Sequence, residues 1–133
     1  MGVLILLILL FPETSPVREW VIEVEKSLVH RLQGVVSYRE DPVPGIKVEV
    51  YDNGEVILQR GLTLEEMRGR QRIVATTTTD ERGRFKLRQL LPGKYELHFE
   101  GEGWNPLSVV VTVVPRKQKV EKRNLIISMP LGG

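Results

Sequence analysis

The sequence predicts an all-β domain in which two sheets pack face to face. From Arg18 onward, apolar residues recur at every second position in most segments, the period of a strand with one buried face. These alternating runs are short and are separated by Gly, Pro, Asn and Asp, residues that turn or break the chain. No segment keeps a helical period long enough for a long helix. Seven or eight strands therefore have mainly one another to bury against, which is the condition for a sandwich.

The elements follow in order. "WVIEVEKSLVH" opens the pattern, as a strand or a short helical turn. In "LQGVVSY", Leu32, Gly34, Val36 and Tyr38 share one face, and "EDPVPG" then turns the chain through two prolines. "IKVEVY" places Ile46, Val48 and Val50 inward, with Lys47 and Glu49 outward. Asp52, Asn53 and Gly54 predict a hairpin turn, because Asn and Gly accept positive φ. Residues 55–72 are irregular: "VILQR" reads as an added strand, and "TLEEMRGR" as one helical turn with Thr63 and Glu66 forming a capping box.

"RIVATTTT" returns to residues that suit a pleated surface. In "TTDERGRFKLRQLLPGKYELHFEGEGW", Asp80 can accept from the amides after it, and Gly83 can supply the left-handed residue that closes such a turn. Phe85 and Leu87 then face one way, and Arg84, Lys86 and Arg88 the other. Pro92-Gly93 redirects the chain into a second inward row, Tyr95, Leu97 and Phe99. "PLSVVVTVVP" and "VEKRNLIISMPL" are the last strand-like runs, split by the basic turn "RKQK".

A chain of 133 residues is long enough for one domain with its own core. It has no cysteine, so disulfides and thiolate metal sites are excluded. With 19 basic and 17 acidic residues, the net charge of +2 gives no footprint for nucleic acid. "MGVLILLILLF" is an uncharged apolar run of half the length a membrane-spanning helix needs. Its length is that of a signal-peptide core, although no Lys or Arg precedes it and no small-x-small cleavage pattern follows. The competing reading is a buried N-terminal strand. The expectation adopted is a signal peptide over residues 1–15, truncated if the true start lies upstream of Met1. Residues 16–31 are then an extension or extra strand, residues 32–133 are the sandwich, and the mature chain begins between residues 12 and 18.

Five pieces taken together resemble one family. "LQGVVSY", "PVPGIKVEV", "TTDERGRFKL", "LLPGKYELHF" and "GEGW" occur in the order found in the carboxypeptidase regulatory-like domain, over about residues 32–131. The resemblance implies a seven-stranded Greek-key sandwich of transthyretin-like or immunoglobulin-like type, in an extracytoplasmic setting. This chain departs by a longer connection between Gly54 and Ile73 and by the lack of an attached catalytic domain.

No catalytic constellation is visible. His30 and His98 are far apart, and no His-x-His, His-Glu-x-x-His or Gly-x-Ser-x-Gly occurs. His98 alternates with Leu97 and Phe99 and reads as a solvated strand residue. Dioxygenases on related sandwiches use two tyrosines and two histidines, and Tyr38, Tyr51 and Tyr95 lack the paired histidines. The resemblance extends faintly to modules locked by a Lys–Asn isopeptide bond, but Phe99 stands where they place a glutamate. The Asp80–Glu81 and Asp52–Asn53 turns offer too few convergent oxygens for calcium. No enzyme activity and no cofactor is expected.

Binding is the remaining class. "PRKQKVEKR" and the Arg84, Lys86, Arg88 stripe suit an anionic polymer or lipid headgroup, yet Glu96 and Glu100 are expected to lie opposite the stripe, and solvated surface is the preferred account. Trp104 beside Asn105 is a candidate sugar platform, weighed against a role capping the core. Residues 55–72 carry Val56, Ile57, Leu58, Leu62, Leu64 and Met67 among arginines, and are read as a partner surface the domain can fold without, weighed against an insert that covers an exposed sheet edge and contributes only stability. The candidate contacts are thus Trp104, Asn105, Arg68 and Arg70. The expected role is a secreted or periplasmic structural or protein-interaction module without a stable membrane span, its partner a protein or a cell-envelope glycan. The alternative is carbohydrate binding through Trp104.

Overall fold

The computed structural model describes residues 3–11 and 18–131. Their strands are β1 (Val3–Phe11), β2 (Arg18–Glu25), β3 (Gln33–Tyr38), β4 (Asp41–Pro42) and β5 (Lys47–Tyr51), then β6 (Ile73–Thr78), β7 (Arg84–Lys86), β8 (Gly93–Glu100), β9 (Leu107–Val113) and β10 (Leu125–Ser128). The larger sheet runs β1-β2-β9-β8-β5-β6, and the smaller runs β10-β3-β4 with β7 also paired to β3. Pairing is antiparallel except between β2 and β9 and between β3 and β10. The two-sheet, all-β architecture expected from the alternation is present. The described strands number ten rather than seven, because β1, β2 and the two-residue β4 add to the expected set.

The inner faces form one core. Val48, Val50, Leu97, Phe99, Leu107, Val109 and Val111 of the larger sheet meet Val36, Phe85, Leu125 and Ile127 of the smaller. Phe85 packs edge-on to Phe99, ring centroids 5.6 Å apart, so the place that a bond-forming glutamate would take is filled by core. "WVIEVE" is a strand: Val21 faces the core while Trp20 and Ile22 face the other way. The apolar run Val3–Phe11 is an edge strand on β2. The expected cleavage region, residues 12–18, lies outside the described residues except for Arg18.

Two turn readings are corrected. Asn53 does take positive φ, at 51°, but no hairpin follows. β5 is already paired on both sides, with β6 and β8, so its continuation leaves the sheet. It becomes a 3-10 turn, Gly54–Leu58, where a strand was expected. Thr63 then caps a short helix α1 (Leu64–Gly69) through the expected box with Glu66, and the Thr63 amide, the larger influence, holds the Glu66 carboxyl below its ordinary range.

The corner between β6 and β7, where the chain changes sheets, rests on side-chain acceptors. Buried Thr79 accepts from the Ile46 amide at 2.8 Å and donates to the Val43 carbonyl at 2.9 Å. Asp80 Oδ1 accepts from the amides of Arg82 and Arg84, both at 2.9 Å. The Arg84 amide, first among these, keeps the Asp80 carboxyl below the usual range. Its contribution to folding is present above the ordinary aspartate value and is lost as pH falls through the depressed one. Gly83 has φ 74°, and a Cβ there would meet the Val36 carbonyl oxygen.

Gly83→Val is therefore expected to cost about 2–4 kcal/mol, from left-handed strain plus overpacking. Urea unfolding measures it, with the midpoint falling and the slope unchanged. An unshifted midpoint contradicts this account of the corner.

Candidate functional site: a buried polar cluster beneath the insert

Strand alternation sends Glu96, His98 and Ser108 to the outer face of the larger sheet, opposite the main core. Residues 54–72 fold across that face. Val56, Ile57 and Met67 from the insert close with Trp20, Ile22 and Val110 from the sheet into a second apolar cluster. Gly54 is the close point of approach, since a Cβ there would run into the Tyr95 backbone.

The polar groups trapped under this cover satisfy one another. Glu96 has no exposed surface. Its Oε1 accepts from Arg68 Nη1 at 2.6 Å and Gln71 Nε2 at 3.0 Å, and its Oε2 from Arg68 Nη2 at 3.1 Å and Ser108 Oγ at 2.5 Å. This is a two-pronged Arg–carboxylate pair, the strong geometry for such a contact. The guanidinium also lies 3.9 Å over the Tyr51 ring and 5.5 Å over Trp20, where cation–π attraction favours it. Burial, the leading cause, pushes the Tyr51 hydroxyl up, with Arg68 opposing. No buried side-chain nitrogen or oxygen among the described residues lacks a partner.

Ser108, His98 and Glu100 bring together the residue types of a hydrolase triad. Ser108 Oγ is 2.8 Å from His98 Nδ1, and His98 Nε2 is 2.9 Å from Glu100 Oε1. The hydrogen count decides what this can do. Trp20 Nε1 only donates, and it reaches Ser108 Oγ at 2.9 Å. Glu96 takes the hydroxyl hydrogen, so Oγ has none left to give His98 Nδ1. An activated serine must give its hydrogen to the histidine, and Ser108 is wholly buried. The cluster is a structural tie between insert and sheet.

Several expectations change accordingly. His98 is buried, not solvated, because the insert covers its face. Glu96 and Glu100 do not lie opposite the Arg84, Lys86, Arg88 stripe, since β8 and β7 belong to different sheets. The insert is also tied to the sheet: it supplies Arg68, the guanidinium partner of Glu96, whose other basic neighbour is His98, with Nδ1 3.7 Å from Glu96 Oε2. Which sheet face an apolar insert covers is not a local property, so alternation alone reads His98 as solvated. The signal available was "YELHFE", whose Glu96, His98 and Glu100 alternate with core residues beside Ser108 on the next strand.

The four candidate contacts do not form one site. Arg68 is committed to Glu96, whereas Arg70 is exposed at a cleft with Asp52, Asn53, Arg72, Lys94 and Tyr95. Within it, Asp52 Oδ1 accepts from the Arg72 amide at 2.7 Å. Trp104 and Asn105 lie at the opposite end of the sandwich. Trp104 is half-buried, packs edge-on to Tyr38 at 5.2 Å and leans on the main core. Asn105 Nδ2 donates to the Leu131 carbonyl at 3.1 Å. Among the described residues, no group of three His, Asp or Glu side chains is placed to hold a metal.

The family model for the carboxypeptidase regulatory-like domain matches residues 31–125, and the chain belongs to that family. The domain is a non-catalytic module of transthyretin- and immunoglobulin-like fold. A comparison with curated proteins returns no match. The matched region excludes β1 and β2, and with β2 the Trp20 and Ile22 of the second cluster, but includes the insert.

Arg68→Met leaves a buried carboxylate unpaired and is expected to cost about 3–5 kcal/mol. Adding Glu96→Leu removes the stranded charge and should restore at least half of the loss. Chemical denaturation of the two single variants and the double variant measures both. A loss below about 1 kcal/mol for Arg68→Met shows that the pair does not hold the insert.

Proposed function

We propose that this chain is a non-enzymatic, extracytoplasmic module that serves a structural or protein-interaction role. The observation that carries this reading is the fate of its reactive residue types. The Ser, His and Glu side chains best suited to chemistry are spent inside the protein, while the surface over them is a folded cover with an outward face. That face offers Leu64 and Ile73 as exposed apolar residues beside Arg70 and Arg72, a mixed surface suited to a protein partner. The apolar N-terminal run supports export. We take the strands of the matched region, apart from β4, as a seven-stranded Greek-key core.

Leu64→Asp combined with Arg70→Glu alters only this outer face. The variant is expected to fold as the parent does and to lose at least about tenfold in capture of envelope-fraction partners, as buried-contact losses of this kind do. Undiminished capture of the same partners by the folded variant places the interaction surface elsewhere. Mass spectrometry of chain isolated from the envelope tests export: a first residue between positions 12 and 18 is expected, and an intact Met1 in exported protein refutes removal of the run.

Carbohydrate binding is the second reading. It rests on Trp104, half-buried beside Tyr38 with Arg39 5.3 Å over the tyrosine ring, an aromatic surface a sugar face can use. Quenching of tryptophan fluorescence by envelope glycans, abolished in Trp104→Ala, is the result this reading requires.

A further inference from the structure

The fold sorts charge to its two ends in a way the net charge hides. Loops 26–32, 87–92 and 114–124 share one end. Arg31 Nε donates to the Leu87 carbonyl at 3.1 Å, Gln89 Nε2 to the His30 carbonyl at 2.9 Å, and His30 Nε2 to the Gln118 carbonyl at 2.5 Å. Together these three loops hold eight basic residues and one acidic residue, Glu121. Loops 39–46, 79–83 and 101–106 share the other end, with two basic and five acidic residues. The loops named at the two ends thus carry net formal charges of +7 and −3 on a chain whose net charge is +2, and the β5–β6 connection, which leaves the sheet at the basic end, adds four basic and four acidic residues.

The basic end is a built surface. Arg116, Lys117, Lys119 and Arg123 form no ion pair among the described residues, whereas Lys122 reaches Glu25 at 3.5 Å. The loop that bears them is tied down by His30 and by Gln33, whose Nε2 donates to Asn124 Oδ1 at 3.0 Å. With His30, Arg31 and Gln89 it walls a cleft of about 870 Å³. The same end also exposes leucines. Leu91, 81% exposed, follows Gln89 by two residues, and Leu28, 36% exposed, sits with Lys26, Lys119 and Val120.

We propose that this end docks on the surface of an anionic lipid bilayer, with the cations against the headgroup phosphates and Leu91 and Leu28 entering the headgroup layer. Basic residues near an anionic membrane are attracted additively over a Debye length, and adjacent apolar side chains add burial. A soluble polyanion has use for the cations but none for the exposed leucines. The acidic end opposes any inverted approach, so the charge distribution fixes orientation. Docked this way, the Trp104 end points away from the membrane. The inference goes beyond the module reading and does not depend on the side of the membrane.

The test is partitioning of the full chain onto vesicles of phosphatidylcholine alone or mixed with phosphatidylglycerol. All variants keep the N-terminal apolar run, so its own affinity is common to every arm. Binding is expected on the anionic vesicles, weakening as salt rises. Lys117→Glu, Lys119→Glu and Arg123→Glu combined should reduce it by at least about 100-fold. Leu91→Ser should reduce it about fivefold, and Arg82→Glu at the far end should leave it unchanged. These loop positions are exposed, and an unchanged melt for each variant shows that folding is intact. Equal binding to neutral vesicles, or indifference to the triple reversal, overturns the proposal. Insensitivity to Leu91→Ser, with soluble polyphosphate competing fully, reassigns the end to a soluble polyanion and overturns it as well.

Discussion

Glu96 sits on the middle of the outer face of the larger sheet without any contact to water, and the molecule is arranged around making that tolerable. A carboxylate in that position needs a cation, further donors and a dry surround together. Arg68 supplies the cation, Gln71 and Ser108 the donors, and the second apolar cluster the surround. Arg68, Gln71 and the apolar surround each require the insert to lie in one place on the sheet, while Ser108 comes from β9. The 3-10 turn, with Gly54 pressed against the β8 backbone, and the capped helix α1 are the local structures that hold it there.

The same arrangement gives a set of triad-like residues hydrogen bonds that differ from those of an activated serine. Hydrogen-bond direction, not distance, separates a nucleophile from a strut. Ser108 gives its hydrogen to Glu96 and receives from Trp20, so it has no hydrogen to offer His98 beside it. Buried networks of this type are worth keeping only when complete, and this one is complete. What stays open to a partner is surface: the outward side of the insert, the half-buried aromatic pair at one end, and the basic loops at the other.

The two ends differ because the topology gathers loops that are remote in the chain. Parallel pairing of β2 with β9 and of β3 with β10 brings the segment after β2 and the segment before β3 to the same end as the β9–β10 connection. Basic residues near positions 30 and 120 become neighbours as a result. A composition that looks balanced becomes polar in space, and no helix among the described residues is long and apolar enough to cross a membrane.

The sequence by itself determined most of the strands and their inward faces, though not β1 or the path after Gly54. Alternation at Ile46, Val48 and Val50, and at Tyr95, Leu97 and Phe99, is a local property that the pleat converts directly into burial. It likewise determined the Asp80–Gly83 corner and the Thr63–Glu66 box, because those contacts span four residues or fewer. Tertiary structure alone decided the rest. Whether an outward-facing His98 or Glu96 meets water depends on what lies over the sheet, and residues 54–72 supply the cover from more than 20 positions away. The hairpin read at Asn53 was lost to pairing by β6 and β8, which no local signal encodes. Alternation states which face a side chain takes; only the packed molecule states what that face meets.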